Sequence, residues 1–302
     1  MSAVLLIPAL LLDAALGEPK ILWDRFPHPA VLMGRAVAVV EARLNVGENR
    51  TAKGVLAMTG LGLVALALGW LIHVLPDFGV LEIVVAAILL AQKSLVQHVR
   101  AVADALRLSL GDGRHAVSMI VGRDTAVLDR SGVARSAIES AAENLSDGVI
   151  APAFWFLVGG LPALMLYKIT NTADSMIGHR TPRYEQFGWA AARFDDLLNL
   201  IPARLTAALI AVTHGMFNPK PILRDAPLHR SPNAGWPEAA MAVCLNVSLS
   251  GPRSYHGKLS DFPWVWPEGR REIGSDEIDA SVSALWRAWA GMVVITLLVA
   301  IL

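Results

Sequence analysis

The 302-residue sequence predicts an all-α, polytopic integral membrane protein with broken or re-entrant helices and cytoplasmic helical segments. Hydrophobic residues make up 54% of the chain and charged residues only 17%, against roughly 25% charged in soluble domains. Several apolar runs approach the roughly 20 residues that a membrane helix needs, and alternating strand patterns are scarce. No repeat or linker divides the chain, so we expect a single membrane-embedded domain over residues 1–302.

The clearest membrane-spanning run covers residues 54–75. Its only ionisable group, His73, lies near one end, so the apolar stretch is long enough to cross about 30 Å of hydrocarbon. A second run, residues 81–96, follows the turn at residues 76–79. The two runs are therefore expected to form a helical hairpin.

The two chain ends are also apolar. No Lys or Arg precedes the run at residues 1–17, so we expect an uncleaved membrane helix there. Residues 288–302 carry no charge but are short for a full span. They either cross the membrane with Arg287 snorkelling to water or lie partly in the interface.

Two further apolar runs are interrupted. Residues 149–167 contain Pro152, Gly159, Gly160 and Pro162, and residues 200–216 contain Pro202 and Arg204. Broken helices at membrane depth are tolerated where protein or a water-filled cavity satisfies the freed backbone groups. These runs are therefore expected to re-enter the membrane or to line a site.

The distribution of Lys and Arg predicts the orientation. These residues are concentrated in the segments 17–53, 92–148 and 217–284, which places those segments in the cytoplasm. The polar segment 168–199 joins them there if residues 149–167 re-enter rather than cross. We therefore expect a multi-pass protein of the inner (cytoplasmic) membrane whose active site faces the cytoplasm.

Composition argues against several function classes. Basic and acidic residues both number 26, so there is no net positive charge to hold a nucleic acid. The single cysteine, Cys244, cannot form an internal disulfide or a cysteine-rich metal site. The P-loop, HExxH, GxSxG and GxGxxG motifs are absent, so any use of ATP proceeds without a P-loop.

Polar residues are concentrated in a few blocks. Asp13, at the end of the first apolar run, is either paired inside the protein or placed at the water interface. In the block after Arg123, residues 133–147 are expected to be helical, with Glu139 and Glu143 on one face and Ile138, Ala142, Leu145 and Val149 on the apolar face. Glutamates at i and i+4 repel by about 0.2–0.5 kcal/mol in an isolated helix. This pattern implies a cation partner, which is either Arg135 or a bound Mg²⁺. Alternatively, the block binds a phosphorylated ligand that Arg123 approaches.

Two blocks combine carboxylates, amides and cations. Lys168, Asn171 and Asp174 share a helix face that ends near Gly178, a predicted C-cap. His179, Arg180 and Arg183 then form a turn suited to an anion. In the next block Asp195 and Asn199 are i and i+4, and Arg193 and Asp196 are three apart. Hard oxygen ligands of this kind suit Mg²⁺ bridged to phosphates, although Arg193 and Asp196 also have the spacing of a self-neutralising pair.

The last block, residues 225–238, reads as a loop that opens a helix with Glu238 in its first turn. These blocks contain the strings LLDAALGEP, HPAVLMGR, GRDT, ESAAENLSDGVIAPAFW, YKITNTADSMIGHR, RYEQFGWAAARFDDLLNLIPARLTA and HRSPNAGWPEAAMA. On these strings, which run from position 11 to about 242, the sequence resembles the adenosylcobinamide-phosphate synthase family of cobalamin biosynthesis.

The resemblance implies an ATP-dependent amide ligase. It would condense the propionate of adenosylcobyric acid, a corrinoid, with (R)-1-amino-2-propanol phosphate or with the free amino alcohol. The implied chemistry is phosphorylation of the carboxylate by ATP, then attack by the amine, with Mg²⁺ and cationic side chains holding the negative charge. The lipid bilayer is expected to surround the protein, and the partners left open are other enzymes of the pathway or a second copy of the chain.

The resemblance also suggests roles for individual residues. Mg²⁺ ligands are expected from Glu139, Glu143, Asp174, Asp195 and Asp196. Nucleotide and phosphate contacts are expected from Arg123, Lys168, Asn171, Arg180, Arg183 and Arg193. Contacts to the amino alcohol or to corrin side chains are expected from His229, Ser231 and Asn233. Catalytic roles are expected for Glu139 and Glu143, with Glu238 or Asp147 as the base that takes the ammonium proton.

Two rival functions remain open at this stage. An intramembrane Mg²⁺-dependent prenyl-type transferase also presents Asp and Asn on helices, and the segment from Asp195 to Asn199 superficially fits it. A corrinoid transporter or scaffold is the non-catalytic alternative. The first predicts activity with a prenyl diphosphate and none with a corrinoid, and the second predicts corrinoid binding without ATP turnover.

Overall fold

The computed structural model describes residues 2–255 and 258–302, and within them the chain is almost entirely helical. The helices group into two compact units. Unit 1 comprises Met1–Ala91, Ala151–Leu200 and Ile295–Leu302, and unit 2 comprises Gln92–Ile150 and Ile201–Val294. The division into two units does not test the prediction of one membrane-embedded domain over residues 1–302, which therefore stays a prediction.

In its described part, unit 1 contains seven whole helices and the end of the last helix of the chain. The seven are α1 (Ser2–Leu16), α2 (Lys20–Trp23), α3 (Pro29–Leu44), α4 (Arg50–His73), α5 (Val80–Leu89), α9 (Ala151–Ile177) and α10 (Trp189–Leu198). Its core combines small and apolar side chains from α3, α4, α9 and α10, among them Val37, Met58, Ile169 and Ala191. The second half of α9 is therefore held on several sides.

Unit 2 contains most of the remaining elements. Its helices are α6 (Gln92–Leu108), α7 (Leu110–Ser118), α8 (Arg130–Leu145), α11 (Leu200–Thr213, from its second residue), α12 (Lys220–Asp225), α13 (Gly235–Leu245) and most of α14 (Ser275–Ile301), with a π-helical turn at Ser146–Ile150 and a 3₁₀ turn at Ala226–Leu228. Four short strands form two antiparallel pairs: β1 (Leu249–Ser250) with β4 (Trp264–Val265), and β2 (Arg253–Tyr255) with β3 (Lys258–Ser260). The all-α prediction is confirmed, with these ladders as a minor addition.

Several helices are long and apolar enough to cross a membrane. Within the described residues there are four, Arg50–His73, Val80–Leu108, Arg130–Ile177 and Ser275–Ile301, and a fifth if the bent pair α10 and α11 counts as one span. The prediction of a polytopic membrane protein is confirmed. The last helix begins at Ser275, well before Arg287, so it is longer than the charge-free stretch at residues 288–302 indicated.

Helix α9 is broken where the sequence predicted an interruption. Gly160 adopts a left-handed conformation with φ of 63°, and Pro162 follows inside the helix. The break lies against α4, because a Cβ at Gly69 would come within 2.5 Å of the Pro162 Cα. The prediction of a broken helix is confirmed; its re-entry into the membrane stays a prediction.

The predicted hairpin between α4 and α5 is present. Both carboxylate oxygens of Asp77 accept hydrogen bonds from the start of α5, from the Gly79 N–H at 3.0 Å and from the Leu81 N–H at 2.7 Å. Beyond the turn, His73 Nδ1 lies 3.0 Å from Glu82 Oε1. Asp13, only 3% exposed, is also buried within α1 of this unit, which favours the internal placement over the interfacial one.

Small residues let α4 pack closely on its neighbours. A Cβ at Gly54 would overlap the backbone carbonyl of Phe187, and a Cβ at Gly62 would lie 3.0 Å from Leu166 Cδ1. Membrane helices associate largely through such close packing, because lipid supplies no hydrophobic drive between them. By contrast, a Cβ at Gly60 in the same helix would meet nothing within 4 Å.

These two glycines make a matched stability test. Gly54→Ala forces the Cβ into the Phe187 backbone and should lower the free energy of unfolding by about 1–3 kcal/mol. Gly60→Ala has open space and should be neutral or stabilising by about 0.5–1 kcal/mol. Thermal unfolding in detergent measures both, and equal midpoints for the two variants would contradict the packing of α4 described above.

Candidate active site

The structure distributes the sequence-predicted site residues between the two units. Unit 1 holds Lys168, Asn171, Asp174, Arg180, Arg183, Arg193, Asp195 and Asp196. Unit 2 holds Arg123, Glu139, Glu143, Asp147, His229, Ser231, Asn233 and Glu238. Only some members of each set are brought together within their own unit.

The unit 1 cluster is centred on Asp195, which is 8% exposed on α10. The Asn171 amide donates to Asp195 Oδ1 at 3.3 Å, and the Asn199 amide donates to Oδ2 at 2.9 Å. The buried Tyr167 hydroxyl in turn donates to Asn199 Oδ1 at 3.0 Å. Sequence reasoning missed Tyr167, although it precedes Asn171 by four residues on the same helix and so shares its face.

Two further carboxylates lie close to Asp195. Asp174, near the end of α9, interacts electrostatically with both Asp195 and Asp196. Together Asp174, Asp195 and Asp196 form what we call the carboxylate cluster. Cations surround it: Arg193 Nη1 lies 3.2 Å from Asp196 Oδ2, and Arg180 also interacts with Asp196. The spacing that suggested a self-neutralising Arg193–Asp196 pair is therefore realised.

Gly178 ends α9 beside the carboxylate cluster, and its N–H donates to the Asp174 carbonyl at 2.7 Å. A Cβ at this position would overlap the Asp174 carboxylate. The predicted helix end is confirmed. The glycine is needed there because the Asp174 side chain approaches its Cα closely.

Arg183 has a different partner from the one expected of it. Its Nε donates to Glu41 Oε1 at 3.0 Å and its Nη2 donates to Glu41 Oε2 at 3.1 Å, while Asn45 donates to the Arg183 carbonyl. The Arg183 guanidinium holds the pKa of Glu41 below its usual range. We therefore assign Arg183 a role in fixing the turn at residues 178–188, and Glu41 is a residue that sequence reasoning missed.

Lys168 lies on α9, and its charge acts on His28, whose pKa is lowered mainly by burial. His28 caps α3, because its Nδ1 accepts a hydrogen bond from the Ala30 N–H at 3.1 Å. The His28 ring also meets the Trp23 ring edge-on at 4.5 Å. The HPAVLMGR string therefore places a histidine near Lys168, a role that sequence reasoning had not given it.

The carboxylate cluster has the donor chemistry that Mg²⁺ prefers. No three His, Cys, Asp or Glu side chains in residues 2–255 and 258–302 converge as a ready metal site. A nucleotide-bound Mg²⁺ generally uses only one or two carboxylates and takes its other ligands from phosphates and water. Asp174 and Asp196 can supply the one or two carboxylates that such a Mg²⁺ needs.

The unit 2 cluster begins with a buried ion pair. Arg123 Nη2 donates to Glu139 Oε2 at 2.7 Å, and the Ser250 N–H donates to Glu139 Oε1 at 2.7 Å. Both oxygens of Glu139 are thus occupied, and Arg123 is a cation partner of this carboxylate. The predicted apolar face, from Ile138 to Val149, is buried as expected.

Glu143, expected on the same face as Glu139, is exposed. Asp147 lies half-buried in the π-helical turn at Ser146–Ile150, just after α8. The catalytic roles predicted for Glu143 and Asp147 stay predictions.

The HRSPNAGWPE segment forms a compact polar loop before α13. His229 Nδ1 accepts a hydrogen bond from the Ser231 N–H at 3.0 Å, and Ser231 Oγ accepts from the Asn233 N–H at 3.2 Å. His229 Nε2 lies 3.6 Å from Glu238 Oε2, a carboxylate only 4% exposed. The predicted loop, with Glu238 in the first turn of the following helix, is confirmed.

Arg204 completes this loop, although sequence reasoning noted it only as a charge inside an apolar run. Its Nη1 donates to Asn233 Oδ1 at 3.3 Å, and its guanidinium stacks over Trp236 at 4.5 Å. The cation–π contact explains why a charged residue is tolerated on α11.

A family model described as CobD/Cbib protein matches residues 6–285. The chain belongs to this family. Relatives named "Cobalamin biosynthesis protein CobD" include those of Sinorhizobium fredii at 48% identity over 94% of this chain and 93% of the relative, Brucella suis at 49% over 94% and 92%, and Rhodobacter capsulatus at 44% over 99% and 98%. No solved structure matches the chain.

The CobD/Cbib match extends across both units and includes every residue of the two clusters. The sequence resemblance to the cobalamin family is thereby confirmed. The individual roles of the cluster residues stay predictions.

The Glu41–Arg183 pair predicts an acid-sensitive contribution to stability. Because the folded-state pKa of Glu41 is depressed, the pair stabilises fully above the unfolded pKa and loses its effect as pH falls through the folded pKa. Glu41→Gln should cost about 1 kcal/mol at neutral pH, since the Arg183 side chain is 66% exposed and screened by solvent.

Thermal unfolding between about pH 6 and pH 3 measures this effect. The midpoint gap between wild type and Glu41→Gln should narrow as pH falls. The exposed carboxylate Glu48 supplies the control, and Glu48→Gln should show no such gap. A gap that persists unchanged at the acid end would refute the ionic role of Glu41.

Proposed function

We propose that this protein acts in cobalamin biosynthesis as an ATP-dependent amide ligase of the adenosylcobinamide-phosphate synthase type. It joins the propionate carboxylate of adenosylcobyric acid to the amine of aminopropanol phosphate or of free aminopropanol. Membership of the CobD/Cbib family and the names of the relatives support the pathway. The carboxylate cluster with its flanking cations is the observation that supports the chemistry.

The cluster is suited to the phosphates of ATP. Asp174 and Asp196 would hold Mg²⁺, which when bound offsets the charge of the phosphate oxygens. Arg180 and Arg193 lie beside the same carboxylates and would contact the phosphates directly. Lys168, on the same helix as Asp174, is a further cation that the resemblance suggested for phosphate contact.

Asp195 has a positioning role in this proposal. Its two oxygens are held by Asn171 and Asn199, and Tyr167 fixes Asn199. This chain of hydrogen bonds ties α9 to α10 and so fixes Asp174 and Asp196 relative to each other. Preorganised charges of this kind contribute to catalysis because they need no reorganisation during the reaction.

The reaction balances without an external oxidant or reductant. A propionate oxygen attacks the γ-phosphorus of ATP and ADP leaves; the amine nitrogen then attacks the acyl carbon and inorganic phosphate leaves. The ammonium proton must go to a base before that attack. Glu238, buried beside His229, is the proposed base, and Asp147 is the alternative that the sequence offered.

Two carboxylate variants test the proposal. Asp174→Asn and Asp196→Asn should each lower kcat by about 10²-fold or more, because each removes charge stabilisation that phosphoryl transfer needs. The assay is ADP release together with mass detection of the corrinoid amide, using detergent-purified protein and adenosylcobyric acid, ATP, Mg²⁺ and either amine. Glu48→Gln, an exposed carboxylate-to-amide change outside the cluster, should retain wild-type rates.

Other results identify a different function. Corrinoid binding with neither ADP release nor a change of mass, in folded wild-type protein, would support the transporter or scaffold. Turnover of a prenyl diphosphate without corrinoid would support the transferase. Amide formation unaffected by both aspartate variants would leave the ligase standing but remove the carboxylate cluster from it.

A further inference from the structure

Helix α3 buries Val37 in the core of unit 1 but also carries large apolar side chains on its outer surface. Val31, Leu32 and Val39 are 47%, 50% and 50% exposed. The only carboxylate of the helix, Glu41, is buried. A surface helix of a soluble protein has the opposite arrangement, with its charged side chains outward. The outer surface of α3 is therefore suited to an apolar environment rather than to water.

The exposed residues of α3 form a single face, which we call the outer α3 face. With 3.6 residues per turn, they fall within less than half of the helix circumference. They are Val31, Leu32, Arg35, Ala36, Ala38, Val39, Ala42 and Arg43. Apart from the two arginines all are apolar, and none is acidic. Such a face matches a lipid surface, where long Arg side chains reach the phosphate groups.

The core behind the outer α3 face lies at membrane depth. It contains Met58 and Ala65 of α4, and both lie inside the apolar run at residues 54–75, in a helix long and apolar enough to cross a membrane. Leu63, in the same run, is 60% exposed and is expected to face lipid. Because α3 packs directly on α4, lipid that surrounds α4 also reaches the outer α3 face.

The two arginines of this face lack an internal partner in residues 2–255 and 258–302. Neither Arg35 nor Arg43 forms an ion pair there. Lipid phosphates would supply the missing negative charge. A second copy of the chain would not, because a two-fold contact between identical faces brings arginine against arginine. The charge on the face therefore favours a lipid surface over a dimer contact.

We propose that the outer α3 face lies in the membrane interface, with its aliphatic side chains among the acyl chains and Arg35 and Arg43 at the lipid phosphates. The inference is independent of the proposed ligase function. It refines the predicted placement of segment 17–53 in the cytoplasm, because α3 is then on that side but at the bilayer surface. Since Glu41 of α3 binds Arg183, the bilayer also supports the turn that follows α9.

Spin-label accessibility in nanodiscs of phosphatidylcholine and phosphatidylglycerol tests the lipid contact. Cys244 is the only cysteine, so Cys244→Ala gives a background for single-cysteine variants of the full chain. Labels at Leu32→Cys and Val39→Cys should collide several-fold more with dissolved oxygen, relative to a water-soluble nickel chelate, than a label at the exposed Glu48→Cys. Oxygen concentrates among acyl chains, so this ratio should approach that of Leu63→Cys, the lipid-facing reference on α4.

Two results of this measurement would overturn the proposal. An oxygen-to-nickel ratio as low as that of Glu48→Cys at both positions would show that water surrounds the outer α3 face. Low accessibility to both reagents would show that protein covers the face, and a partner chain or a second copy would then replace lipid as its occupant.

A charge test addresses the arginines. Wild type should unfold at a higher temperature in nanodiscs that contain phosphatidylglycerol than in phosphatidylcholine alone, because an anionic surface attracts basic residues close to it. The double variant Arg35→Gln/Arg43→Gln should lose about 2–4 °C of that gain. The double variant Arg35→Lys/Arg43→Lys keeps the charge and should retain the gain. Equal gains in the two double variants would overturn the role of the arginines.

Discussion

Asp195 is a carboxylate placed among apolar helices, and the arrangement of unit 1 depends on how its oxygens are satisfied. A buried charge without hydrogen-bond partners costs several kcal/mol. Asn171 reaches one oxygen from α9, and Asn199 reaches the other from the end of α10. The same bonds that make Asp195 tolerable therefore join the two helices that carry Asp174 and Asp196. Stability and the geometry of the candidate site have one physical origin here.

Close packing supports that arrangement from the other side. Helix α4 carries glycine where the Phe187 backbone and Pro162 approach it, so α9 is held both at its break and near its end. Glu41 and Arg183 then fix the turn that follows. Arg180 in this turn and Arg193 on the following helix α10 are thus carried by segments that are packed in place. In the proposed function, this would reduce the reorganisation needed when phosphates bind.

The sequence predicts the features that follow from apolar periodicity and from helix-breaking residues. Apolar runs located the long helices, the pair Gly159 and Gly160 located the break in α9, and helical spacing grouped Asn171 with Asp174. Pairings between distant segments were out of reach, since a single sequence carries no information on which loops meet. For this reason the sequence offered Glu139 either Arg135, a bound Mg²⁺ or a phosphorylated ligand approached by Arg123, and it did not predict a direct pair with Arg123. The pair of Glu41 with Arg183, 142 positions apart, was likewise not predicted.

The arginines show that pairings between distant segments determine which candidate cations remain near the carboxylate cluster. From sequence, Arg123, Arg180, Arg183 and Arg193 are equivalent candidates for phosphate binding. In the structure Arg183 is paired with Glu41 and Arg123 with Glu139, and each pair lies within its own unit. Arg180 and Arg193 lie beside acidic groups in unit 1. In the proposed function, a bound Mg²⁺ would neutralise those carboxylates, and the two arginines would then interact with the phosphates of a nucleotide. In the proposed function, a protein with no net charge would thus supply Arg180 and Arg193 to the phosphates, while Arg123 and Arg183 are paired with carboxylates.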